Sequence, residues 1–365
     1  MAQILTFLGQ PRTDCAVVTA AAARQLAHGG KRVLWLTQDD GPLPSQLWGQ
    51  ALTGEPQAIA TNLWGMQLRA TELLEKNWDL VKALEAQYLR SPLLKQVYGQ
   101  ELVVLPGMDE ALALNAVREL YGSGQYDIIV LDGRDGRSLL RMWDLPNGLD
   151  WYIRRFQAVI QASDLARALT PFIQPVAAAI LNIGGTQEEV EKPMGQARSL
   201  LETGRDALHD PQQVLGFLVT GRDRFGATTA HHLWGSAQQV GLTIGGVIAV
   251  GVETVAPLEA QFAPLAVHYV PTLADDQWEP LMAALPNWEL AAQASPRSVT
   301  VDEAARQVKL FLPGFQKDQI TLTQYGPEVT ISAGDQRRNL DLPDSLRNRS
   351  ITGAKFQDHY LILSF

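Results

Sequence analysis

Ile4-Leu5-Thr6-Phe7-Leu8-Gly9-Gln10-Pro11-Arg12-Thr13-Asp14-Cys15-Ala16 is the stretch on which the fold turns. Five mostly apolar residues read as a strand, and Gly9 to Ala16 read as a loop. The small residues from Ala16 to Ala27 then read as a helix. Gly29-Gly30 ends that helix, and Lys31-Arg32 lead into a second strand, Val33 to Leu36. A strand, a loop, a helix and a parallel strand form the unit that presents phosphate to a helix N-terminus. The frame is present, but the loop lacks the usual chemistry.

Further β-type runs follow at Leu102–Leu105, Tyr126–Leu131, Val214–Thr220, Leu242–Val250 and Val267–Pro271. Helical periodicity fills 63–89, 109–121 and 228–240. Nearly continuous apolar strands alternating with helices indicate an α/β fold with a mostly parallel sheet covered on both faces. The stretches 45–100 and 147–213 read as helical insertions at one end of that sheet. Pro286 to Pro296 marks a change of domain. Beyond it apolar residues alternate: Val308, Leu310 and Leu312; Ile320 and Leu322; Val329 and Ile331; Leu340 and Leu342; Leu361 and Leu363. Residues 1–296 are therefore expected to form the α/β domain, and 297–365 a small all-β sandwich.

The 365 residues are 46% hydrophobic and 19% charged, enough for a sizeable core. They lack about 18 consecutive apolar residues, so no transmembrane segment is expected. No basic start precedes the first apolar run, so no signal peptide is expected either. Cys15 is the single cysteine, which excludes an internal disulfide and a Cys-x-x-Cys metal clasp. A cytoplasmic location fits. Acidic residues outnumber basic ones 39 to 30, and the whole excess lies before Ser298. An acidic body argues against nucleic-acid binding.

These residues resemble the arsenical-pump (ArsA) ATPase family, which includes the ATPase that targets tail-anchored membrane proteins. That family's deviant phosphate loop, Gly-Lys-Gly-Gly-Val-Gly-Lys-Thr, aligns without a gap on Gly9 to Ala16. Asp39-Asp40-Gly41 stands where its first switch reads Asp-Pro-Ala. Pro106-Gly107-Met108-Asp109-Glu110 matches its Pro-Gly-x-Asp-Glu element. Asp132 to Pro146 matches its second switch in length, and Gly246 to Val250 approaches its Gly-Val-Ile-x-Asn strand. The tail resembles the α-crystallin domain of small heat-shock proteins, through Leu312-Pro313-Gly314-Phe315 and Val329-Thr330-Ile331-Ser332. A family form with such a tail occurs in cyanobacteria and plastids. The resemblance implies a P-loop NTPase-like fold of the deviant Walker A class.

It also implies site residues. The positions matching Asp39 and Asp132 orient the attacking water and assist magnesium; here they are either working carboxylates or relics that shape turns. Gly9, Gln10, Arg12, Asp14, Cys15 and Ala16 form the nucleotide loop, in degenerate form. Gln10 and Cys15 replace the two lysines, removing charge-assisted bonds to phosphate. Ala16 replaces the magnesium-holding threonine. Pro11, Arg12 and Asp14 replace glycines that let backbone N–H groups converge on phosphate. Pro11 has no N–H to offer. A carboxylate about 4 Å from phosphate would repel it by roughly 4 kcal/mol per charge pair at an effective dielectric near 20. Val250 replaces the adenine-side asparagine. Arg12 could grip phosphate, although its place three residues before Cys15 aims it elsewhere.

Leu165 to Gly185 is apolar almost all round and broken by Pro171 and Pro175. In the family the matching region forms a groove for apolar clients, which here would be lined by Leu165, Leu169, Phe172, Ile173, Val176, Ile180 and Leu181. A buried core helix explains the composition equally well. Asp109 and Glu110 read as a helix start. Adjacent His231 and His232 point about 100° apart on a helix, so no metal site is expected.

The reading that follows is a homodimeric binder or chaperone of apolar protein segments, with ATP hydrolysis lost and no cofactor. Its partners would be a protein client or a second subunit. One rival is an active anion-transporting or protein-targeting ATPase, using ATP and magnesium through an unusual loop. Another is a regulatory pseudo-ATPase paralogue.

Overall fold

The computed structural model describes residues 2–88, 97–162, 187–252, 256–325, 328–340, 342–347 and 349–365. Strand β1 (Gln3–Gln10) is buried along most of its length and runs into helix α1 (Arg12–His28). Then come β2 (Val33–Thr37), α2 (Leu43–Trp48), β3 (Gln57–Ala60), β4 (Leu63–Gln67) and α3 (Ala70–Tyr88). Helix α4 (Met108–Gly122), β5 (Ile128–Asp132), α5 (Gly136–Ala162) and α6 (Gln187–His209) follow. The body continues through β6 (Val214–Thr220), α7 (Arg224–Val240), β7 (Ile244–Val250) and β8 (Val267–Val270).

These eight strands form one sheet in the order β3-β4-β2-β5-β1-β6-β7-β8. All neighbours are parallel except the edge strand β3, which lies antiparallel to β4. Alternate residues of each central strand feed two cores. Ile4, Leu8, Leu36 and Leu131 face α4, α5 and α7. Leu5, Phe7, Trp35 and Val130 face α1 and a helix at Trp288–Ala294, whose Trp288 meets Phe217 edge-on at 4.8 Å. Burial on both faces explains why these strands read as continuous apolar runs. Among the described residues, no helix is long and apolar enough to cross a membrane.

Three local expectations are corrected. Residues 63–67 are strand β4, not the start of a helix. Leu63, Gly65, Met66 and Gln67 are buried beside β2, and the helix begins at Ala70. The stretch 45–100 therefore supplies two strands of the sheet as well as helices. Leu102–Leu105 forms no strand. Leu102 and Val104 lean on the core while Val103 and Leu105 are exposed, and Pro106-Gly107 turns the chain straight into α4. The third concerns Gly9 to Ala16 and is described with the site.

The remaining strands form two antiparallel sheets. One has the order β14-β15-β10-β9 and the other β11-β12-β13, with β9 (Val299–Asp302), β10 (Gln307–Phe311), β11 (Ile320–Tyr325), β12 (Glu328–Ala333), β13 (Gln336–Leu340), β14 (Gly353–Gln357) and β15 (Tyr360–Ser364). The alternating Val308, Leu310, Leu312, Val329, Ile331, Leu340, Leu342, Leu361 and Leu363 meet in its core.

Helix α7 carries the sandwich. Phe311 packs edge-on against Trp234 at 5.5 Å, and the Gln239 side chain donates to the Ile331 carbonyl at 3.4 Å. The opposite end of α7 is capped by Asp223, whose carboxylate accepts from the Phe225 N–H at 3.1 Å. Asp223→Ala is expected to cost about 1 kcal/mol, the usual worth of such a cap, in urea denaturation. A change below a few tenths would show the cap to be idle.

Candidate functional site

The site lies where β1, β2 and β5 end. The expected loop is not there. β1 stays paired with β6 through Gln10, opposite Thr220, and α1 begins at Arg12. Pro11 alone separates strand from helix, and its carbonyl accepts the Cys15 N–H at 3.3 Å. No arch of backbone N–H groups is left to surround a phosphate. Gly9 is needed for packing, because a Cβ there would collide with the Val219 carbonyl oxygen of β6.

The first turn of α1 brings its own anion. Asp14 is half-buried against Gly221, and burial pushes its carboxyl above the ordinary range. A carboxyl in a helix's first turn suits the positive end of the helix dipole. Cys15 is buried, and burial drives its thiol up to about 12, assisted by Asp132 and Asp14. It therefore stays a neutral thiol and offers no nucleophile. Ala16 is buried in the helix–sheet contact, and Gln10 is exposed.

Arg12 is the central group. Its Nη1 donates to Asp132 Oδ1 at 2.8 Å and its Nη2 to Asp132 Oδ2 at 2.6 Å, a two-pronged pair. Nη2 also reaches Asp39 Oδ2 at 3.3 Å. Asp132, at the end of β5, is 1% exposed. Burial raises its carboxyl, while Arg12 and the Thr37 hydroxyl, which donates at 2.8 Å, pull the other way. Burial also acts to lower the Arg12 guanidinium, but the pull of Asp132 and Asp39 outweighs it and leaves it above its ordinary value. The sequence gives Arg12 an aim away from a phosphate; the fold shows the target to be the two switch carboxylates.

Asp39 is fixed from other sides as well. Its Oδ1 accepts from the Gly41 N–H at 2.8 Å, the turn expected of an aspartate there. Its N–H donates to Thr37 Oγ1 at 3.1 Å, and its carbonyl accepts from Gln67 Nε2 at 2.7 Å. Thr37 and Gln67 are missed by sequence reasoning. Their roles depend on β2 and β4 ending side by side. The segment after Asp39 is pinned too: the Arg24 guanidinium lies 4.5 Å from the Trp48 ring and 4.4 Å from the Trp278 ring.

The remaining candidates lie in other parts of the fold. Gly107, at φ +89°, leads into α4, and Asp109 pairs with Arg134 at 3.1 Å. Glu110 is pushed to about 7 by burial and by its hydrogen bond to Asp109. The His231 ring packs edge-on against Trp234 and Phe262, and His232 against Phe315. Val250 is buried at the end of β7. Leu165, Leu169, Phe172, Ile173, Val176, Ile180 and Leu181 lie outside the described residues.

Magnesium nucleotide does not fit the side chains gathered here. The lysine positions hold an exposed amide and a buried neutral thiol. The magnesium hydroxyl is a buried methyl, and Arg12 is bonded to the two carboxylates that would serve metal and water.

The comparisons agree with the architecture. Along 303–365 the chain matches the HSP20-like domain found in ArsA. A protein of Prosthecochloris vibrioformis, inferred to be an arsenical pump-driving ATPase, is 24% identical over all of this chain and 96% of its own length. One of the same description from Aquifex aeolicus is 20% identical over 99% of both chains. ATPase ASNA1 homolog 2 of Paramecium tetraurelia is 23% identical over 52% of this chain and 55% of its own. With the family model for anion-transporting ATPases matched over residues 7–251, a span that includes both switch carboxylates, the chain belongs to that family.

Proposed function

We propose that this chain has lost ATP hydrolysis and works as a cytoplasmic, homodimeric binder or chaperone of apolar protein segments. The observation that carries the first part is the Arg12–Asp132–Asp39 ion triad. A guanidinium bonded to both carboxylates occupies the groups that would handle metal and water. Asp14 places a carboxyl in the first turn of the helix, where phosphate would arrive. The second part rests on the resemblance to the tail-anchored-protein-targeting ATPase and on the sandwich that the family form with a tail carries.

Inorganic-phosphate release by the purified chain at saturating ATP and magnesium tests the first part. Release at the level of a buffer blank is expected, unchanged in Asp39→Asn. Release that disappears in Asp39→Asn would overturn the proposal and favour a working ATPase with an unusual loop. Light scattering tests the assembly: a dimer mass supports it. A monomer that dimerises only with an intact relative points to the regulatory paralogue instead.

A further inference from the structure

Away from the ion triad, the sandwich meets the helical arm formed by α5 and α6 across a charged cleft. Strand β13 faces α5 and α6, and two adjoining cavities of about 470 and 230 Å³ lie between them. They share Arg154, Arg205, Asn339 and Leu340 as walls. The smaller also takes in Arg337 and Arg338 from β13 and Asp144 and His209 from the helices.

Arginines of both elements gather along this cleft. Arg154 and Arg205 converge on one carboxylate, that of Asp150, at 2.9 and 3.5 Å. Arg205 also leans on the exposed Asp206 at 3.9 Å. Arg338 is the more telling group. Its Nη1 donates to the Gln238 carbonyl at 2.8 Å, and its Nη2 lies 3.3 Å from His209 Nε2. A guanidinium only donates, so that nitrogen must be the unprotonated one. Among the described residues, no carboxylate comes within ion-pair distance of Arg338. Asp144 acts on it from farther away, and burial draws its guanidinium down to about 10. A desolvated cation without a contacting counter-ion is costly unless an anion joins it.

We propose that the smaller cavity binds a small oxyanion bearing phosphate or carboxylate groups, held by Arg205, Arg337, Arg338 and the Asn339 amide. Planar guanidinium forks match both kinds of oxyanion two bonds at a time. The oxyanion enters between the arm and β13, so it would tie sandwich to arm when bound. This site is independent of the fate of ATP hydrolysis.

The test uses the full chain without magnesium or nucleotide. Orthophosphate, pyrophosphate and citrate are titrated at fixed ionic strength, with the melting temperature as readout. A rise that grows with the logarithm of concentration above the dissociation constant is expected with at least one of them. The dissociation constant it yields should increase about tenfold or more in Arg337→Ala, the expected loss of one charge-assisted contact. Arg338→Met should do the same; if that variant does not fold, the exposed Arg337 decides alone. Pyrophosphate against citrate separates phosphate from carboxylate ligands. Lack of a rise with all three, or a dissociation constant unchanged in the folded variants, overturns the proposal.

Discussion

Arg12→Ala is expected to lower folding stability by about 3–5 kcal/mol, the cost of stranding one member of a buried ion pair. Asp132 is the stranded group. It is 1% exposed, and among the described residues only the Thr37 hydroxyl would then donate to its side chain. Its carboxyl, already raised by burial, would be raised further without the guanidinium. The double variant Arg12→Ala/Asp132→Asn should recover much of the loss, because a buried amide carries no charge to desolvate. Asp39→Asn should cost under about 1 kcal/mol. Asp39 touches Arg12 at 3.3 Å and is partly exposed, where ion pairs contribute little. Urea denaturation of the four chains measures all of this. A loss below about 1 kcal/mol in Arg12→Ala would mean that water or another group satisfies Asp132. The triad would then not be what holds the three strand ends together.

At the sandwich junction, two single substitutions should tilt the pH dependence of stability in opposite directions. Burial lifts the Asp144 carboxyl from 3.8 to about 6. The folded chain holds that proton where the unfolded chain has released it. The contribution is whole below about 4 and is lost as pH rises through 6. Burial lowers the His209 imidazole from 6.5 to about 3, with Arg338 and Arg205 adding to the effect. Here the unfolded chain takes a proton that the folded chain refuses. That contribution is whole above 6.5 and is lost as pH falls toward 3. Between pH 6 and 4 the two oppose each other, each at about 1.4 kcal/mol per pH unit.

Asp144→Asn leaves the histidine effect alone. Its stability should fall by about 3 kcal/mol more than the parent's between pH 6 and 4. His209→Gln, which keeps an acceptor for Arg338, should instead gain about 3 kcal/mol on the parent over the same interval. The double variant should track the parent. Urea midpoints at half-unit pH steps give the comparison, and three parallel curves would sink the account.

Much of the fold was legible in the chain because burial leaves a local pattern. Val214–Thr220 reads as a strand at its observed limits, since both its faces are covered, and Val267–Pro271 overshoots the half-buried edge strand by one residue. The sandwich core could be picked out because antiparallel strands buried on one side alternate residue by residue. Leu63–Gln67 was misread for the opposite reason. Five residues hold too little period to tell a short strand from the start of the helix beyond it.

The candidate site divides along the same line. From residue types alone it followed that Gln10, Pro11, Asp14, Cys15 and Ala16 could not carry phosphate chemistry, because charge, hydroxyl and N–H are properties of single residues. What Arg12 does was beyond the sequence, since its partners lie 27 and 120 positions away. Only the parallel sheet brings the ends of β2 and β5 beside the start of α1, and only there does one guanidinium span both carboxylates. The same holds for Arg24 between Trp48 and Trp278, and for Arg338 beneath Gln238 and His209. Burial and composition are written residue by residue along the chain. Electrostatic partnership depends on distances of a few ångströms between segments far apart in it, and those distances exist only after folding.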